Sequence, residues 1–110
     1  MSEIYEVKIT LQAQNQMEEI VDYISHELCA PDAANNLLDN LEENIMALAE
    51  FPERYQLIDE EPWGTEGIRK IVVKNFLVYY WIDKDKKKVQ VTAVIYAKRD
   101  QIEQLKNMKL

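Results

Sequence analysis

Within four residues near its end, this 110-residue chain carries three side chains able to act on an anion: Tyr96, Lys98 and Arg99. In the run 89–97, Val89, Val91, Ala93, Ile95 and Ala97 alternate with Gln90, Thr92, Val94 and Tyr96, the period of a strand. If the apolar set faces a core, Tyr96 and Lys98 point to the opposite side, with Arg99 just past the strand end. Arg69 and Lys70 offer one further cation to that side, because adjacent strand residues point oppositely; the pattern leaves open which of the two. Clustered cations stabilise negative charge that develops in a reaction. A tyrosine beside them can stack on a flat ring or pass a proton.

Other residue types with chemical potential have plainer readings. His26, the single histidine, lies between Ser25 and Glu27 in a helical stretch and reads as a surface or interface residue. Cys29 is the one cysteine, so an internal disulfide is excluded, and a small buried apolar residue is expected there. Asp59-Glu60-Glu61 before Pro62-Trp63-Gly64 reads as a solvated loop rather than a metal site. Trp63 is expected to close that loop over the core, and Trp81 to sit in the core or an interface. Gly-rich phosphate loops, serine triads and zinc spacings do not occur. No metal or cofactor is expected.

With 47% hydrophobic and 30% charged residues, the chain suits one domain spanning 1–110. It contains no apolar run of membrane-spanning length. Its start lacks the basic and apolar regions of a secretory signal, so a cytoplasmic location is expected. The net charge of −7 argues against a general nucleic-acid binder. That sum hides a division. Through Gly67, two basic residues (Lys8 and Arg54) face 16 acidic ones; from Ile68 onward, eleven basic residues face four acidic ones. Because charges are screened beyond about 8 Å, a basic face can act locally on an acidic protein.

The elements that must position these groups follow from periodicity. Tyr5, Val7, Ile9 and Leu11 alternate with polar residues as a half-buried strand. Met17, Ile20, Val21, Ile24 and Leu28 form one helical stripe, which Ala30-Pro31 stops. Pro31 and Asp32 then suit the first turn of a second helix, with Ala34, Leu37, Leu38, Leu41, Ile45 and Leu48 as its stripe and Pro52 at its end. A polar loop covers about 53–67. Strands are predicted at 68–74, 76–82 and 89–97, with 83–88 as a hairpin whose Lys86-Lys87-Lys88 tip protects the sheet edge. A short C-terminal helix is predicted over 100–110. The order β-α-α-β-β-β gives an α+β domain: a helical hairpin on one face of a small, mostly antiparallel sheet, the other face left bare.

Three segments in order resemble the C-terminal signature of the RelE/ParE toxin superfamily: Gly67-Ile68-Arg69, Asn75-Phe76-Leu77-Val78-Tyr79-Tyr80, and Val94-Ile95-Tyr96-Ala97-Lys98-Arg99-Asp100. Phe51-Pro52-Glu53-Arg54 also sits where that family has a proline-containing turn with a basic residue. The resemblance implies a bacterial, cytoplasmic toxin of a type II toxin–antitoxin system, acting in growth inhibition or plasmid stabilisation and neutralised by a cognate antitoxin. The implied target is DNA gyrase for ParE-like members, and ribosome-bound mRNA, cleaved without metal, for RelE-like ones.

On the RelE reading, Arg69, Lys98 and Arg99 stabilise the phosphate transition state, and Tyr96 stacks on a base or moves a proton. Arg54, Lys70 and Lys74 are then target or antitoxin contacts. The chain departs from the RelE pattern at Leu77, where such members carry arginine, and at Leu105, where they carry tyrosine or histidine. The run from Phe76 to Tyr80 looks closer to ParE-like sequences and favours gyrase. Alternatives left open are the ribonuclease, a degenerate toxin that keeps only antitoxin binding, and a homodimer.

Overall fold

The computed structural model describes residues 4–97. Strand β1 is Glu6–Ile9, helix α1 is Leu11–Asp22 and helix α2 is Pro31–Met46; β2 (Arg69–Val73), β3 (Phe76–Asp83) and β4 (Lys88–Tyr96) follow. They form one mixed sheet in the order β1-β4-β3-β2, with β1 parallel to β4 and the other pairs antiparallel. The α+β class, the helical hairpin and the order of elements along the chain all hold as the sequence reading had them. Lys98, Arg99 and the expected helix over 100–110 lie outside the described residues. Among the described residues no helix is long and apolar enough to cross a membrane.

Thr10, which the alternation had placed in the first strand, instead caps α1: its hydroxyl accepts from Ala13 N at 3.2 Å. Ala13 and Met17 turn inward from α1. Pro31 opens α2 with Asp32 in the first turn, as the dipole favours. Ala34 of α2 is buried, and Leu37, Leu41 and Ile45, with Leu48 just beyond, are buried against Val78, Tyr80, Val89 and Val91 of the sheet.

Within the sheet itself two further expectations fail. The pairing of β3 with β4 shifts between Tyr79 and Tyr80: Tyr79 faces Ala93, whereas Tyr80 faces Val91. Thr92 is therefore the extra residue of a β-bulge, fully buried, its hydroxyl donating to Tyr79 O at 3.3 Å. A bulge reverses the side on which later residues emerge. Val89 and Val91 face the helices as expected, but so do Val94 and, opposite Phe76, Tyr96. Ala93, Ile95 and Ala97 belong to the second face.

That second face is not bare. Ile58, Ile68 and Trp63 pack on Leu77, Tyr79, Ala93 and Ile95, forming a smaller second core. Ile58 N donates to Ile68 O at 2.9 Å, and Gly64 N to Glu60 O at 2.9 Å, so the 56–67 loop is folded onto the sheet. Gly64 is required there, since a Cβ would stand 2.2 Å from Ile58 O.

Candidate functional site

β1 runs beside β4 only as far as the pair Ile9 and Val91. Beyond that point α1 takes over the strand edge. Gln12 Nε2 donates to Thr92 O at 2.7 Å, and Val94 N donates to Gln16 Oε1 at 2.8 Å. Past Gln16 a groove of about 750 Å³ opens between the helix and the sheet, lined by Ile20, Tyr23, Ile24, Leu28, Phe76 and Tyr96, with Glu19 at its rim. The Phe76 and Tyr96 rings form its floor, centroids 5.5 Å apart and tilted by 50°.

The far wall owes its shape to a wide turn. After Asp22 the helix continues as a π-helical turn, Tyr23–Glu27, with Leu28 N donating to Tyr23 O. One extra residue per turn rotates the apolar stripe, so Tyr23 and Leu28 are left 57% and 56% exposed. Leu28 thus leaves the buried stripe expected of it. Cys29 follows at a left-handed φ of 51° and is exposed, not buried as the sequence suggested.

Among the described residues, neither Arg69 nor Lys70 stands beside Tyr96. Arg69 resolves the open choice by pointing to the helix side, in line with Ile71 and Val73, while Lys70 lies opposite Tyr79 on the second face. Arg69 pairs with Tyr80 in the middle of β3, and Tyr96 with Phe76 at its start. Four strand residues separate these positions by about 13 Å. Lys74, at a left-handed φ of 56° in the β2–β3 turn, is exposed at the Tyr96 end, where Ala97 N donates to Asn75 O.

Arg69 belongs instead to a corner with Arg54, which the sequence had not connected to it. Arg69 Nη1 donates to Tyr55 O and to Glu53 O; Arg54 Nη1 donates to Glu50 O and its guanidinium lies 5.0 Å above the Tyr55 ring. Beneath them the buried Tyr80 hydroxyl donates to Pro52 O at 2.6 Å. Burial pushes the Tyr80 phenol up to about 12, against the opposing pull of Arg69 and Arg54. Tyr79, on the second face, is also pushed up to about 12, by burial and by the charge of Glu60. The two arginines, Tyr55 and the turn form a cationic, aromatic corner remote from the groove.

The family described as the ParE toxin of type II toxin-antitoxin systems, parDE, matches residues 7–101. The chain belongs to the ParE toxin family. Its fold is similar to a chromosomal ParDE toxin–antitoxin system of P. aeruginosa (17% identity, TM-score 0.71), over 86% of this chain and 98% of that one. It is also similar to the RelBE2 toxin-antitoxin complex of Mycobacterium tuberculosis (17% identity, TM-score 0.60, 86% and 92% covered). A doubly substituted E. coli RelE toxin in the free state aligns over 94% of this chain and 97% of its own length, at 14% identity and TM-score 0.60. No curated protein matches in sequence. The chain is a type II toxin of the RelE/ParE superfamily, as its residue pattern had suggested.

For this ParE-family toxin, the groove is the feature that residue reasoning missed. Its signals were present: Ile20, Ile24 and Leu28 exceed what a short sheet end can cover, and Tyr23 adds an aromatic beside the stripe. Only the bulge at Thr92, which no residue type announces, brings Tyr96 to meet them.

Proposed function

We propose that this toxin arrests growth by inhibiting DNA gyrase, and that a cognate antitoxin neutralises it by laying an apolar helix in the groove between α1 and the end of β4. The single observation carrying the choice of target is the match to the ParE family over residues 7–101. The separation of Arg69 from Tyr96 supports the same choice. A metal-independent ribonuclease needs its cations and its tyrosine around one phosphate, and here Arg69 pairs at the middle of β3 whereas Tyr96 pairs at its first residue.

For the antitoxin, the groove supplies apolar walls, with Lys74 exposed at the sheet end and Glu19 at the helix rim. A helix with apolar residues at i, i+3 and i+7 fits such a site. Inducible expression with and without the co-encoded neighbour tests the proposal, reading DNA supercoiling and mRNA integrity in the same culture. Loss of negative supercoiling with intact mRNA, suppressed by the neighbour, is expected. Cleaved mRNA with unchanged supercoiling would transfer the proposal to the ribosome, and unimpeded growth would indicate a degenerate toxin.

A further inference from the structure

Phe51 is an unusual residue to find at its position. Its φ of 50° lies in the left-handed region, which bulky side chains adopt at a cost and which glycine or asparagine adopts freely. Burial does not repay that cost, because the ring is 60% exposed. The backbone around it is nevertheless held firmly. Tyr80 OH grips Pro52 O, Arg69 grips Tyr55 O, and Arg54 N donates to Phe51 O at 3.1 Å. A strained conformation kept in place by its surroundings points to a use for the side chain it presents.

The neighbours describe the use. Ile4, which bridges to Glu50, is 68% exposed, and Met46 at the end of α2 is 57% exposed. Apolar surface of this kind suits protein rather than nucleic acid. Beside it stand Arg54 and Arg69, whose guanidinium groups contact only carbonyl oxygens and a ring; among the described residues neither is paired with a carboxylate. The negative charge of the turn is partly answered already, since Glu53 pairs with Lys84 at 3.4 Å. An exposed aromatic next to two cations without carboxylates is complementary to an acidic segment bearing an apolar pocket.

We infer that the Phe51 turn is a second docking point for the neutralising partner, taking an acidic, apolar segment of it while the groove takes its helix. This inference rests on the proposed antitoxin binding, and the experiment separates the two. Affinity of the co-encoded partner is measured by calorimetry for the full-length toxin and for Phe51→Asn, Arg54→Gln and Tyr23→Ala. Phe51→Asn suits the left-handed backbone, so its Tm should match or exceed that of the parent protein. Its affinity should nevertheless fall at least about 10-fold. Arg54→Gln should lower affinity and flatten its salt dependence. A photo-crosslinking residue at position 51 should capture the partner at a stretch containing Asp or Glu.

Binding by the parent protein that Tyr23→Ala weakens, with Phe51→Asn and Arg54→Gln unchanged, would overturn the second docking point and leave the groove standing. No binding by the parent protein would overturn both. Unchanged partner affinity with lost binding to a polyuridine RNA probe would assign the corner to nucleic acid and overturn the inference as well.

Discussion

Tyr79 and Tyr80 are adjacent, fully buried and pushed to similar pKa values, yet their hydroxyls have opposite circumstances. Tyr80 OH donates to Pro52 O at 2.6 Å, whereas Tyr79 OH is buried with no partner among the described residues. Replacing each by phenylalanine is therefore a matched test of how this fold is held. Tyr80→Phe strips the Pro52 carbonyl of its donor inside the protein, which costs about 1–3 kcal/mol. For a domain of this size that corresponds to a Tm lower by roughly 5–15 °C. Tyr79→Phe removes a polar atom that gained nothing on burial, so Tm should stay level or rise by a few degrees. Thermal unfolding followed by circular dichroism at pH 7 measures both. Equal losses in the two variants, or a larger loss in Tyr79→Phe, would refute the assignment of the Tyr80 hydroxyl as the pin of the 50–55 turn.

The same two phenols set an alkaline limit. Both sit near 12 in the folded protein against an ordinary value of 10, so between about pH 10 and 12 the unfolded chain ionises while the folded one does not, and stability falls across that window. Each contributes roughly 2–3 kcal/mol, and Tyr79→Phe should remove about half of the alkaline loss seen in a pH series of urea melts. Gly64→Ala would bring a methyl group against Ile58 O, so the 56–67 loop must shift; Tm should drop and Trp63 fluorescence should move toward that of an exposed indole. Leu41→Ala, at a fully buried position of α2, should cost about 2–5 kcal/mol in chemical unfolding. Tyr23→Ala, at an exposed groove rim, should leave Tm within about 2 °C while weakening the co-encoded partner at least about 10-fold.

The hairpin of α1 and α2 was legible because its apolar residues repeat with helical spacing, and Ala34, Leu37, Leu41 and Ile45 all lie where that spacing puts them. Strands β2 and β3 were equally plain from their apolar runs. Three features were not. No glycine or proline marks a bulge at Thr92, and the apolar run Ala93-Val94-Ile95-Tyr96-Ala97 after it has no polar alternation to tell one face from the other, so the reversal that turns Tyr96 toward the helices could not be read from residue type. Ile58 and Trp63 cover the second face from a loop without periodicity, where a single isoleucine and tryptophan gave no sign of which surface they seal. The corner of Arg54 and Arg69 depends on backbone carbonyls of the 50–55 turn, which side-chain reasoning does not see. The family resemblance was carried by ordered segments along the chain and did not depend on the placement of Tyr96, which is why it held although neither Arg69 nor Lys70 joins that residue.

The most direct test of the account is a supercoiling reaction with purified DNA gyrase, relaxed plasmid and ATP, to which the toxin is added with and without its co-encoded partner. The toxin should halt the introduction of supercoils, and the partner at equimolar concentration should restore it. Full gyrase activity at saturating toxin, together with cleavage of mRNA on translating ribosomes by the same preparation, would contradict the account.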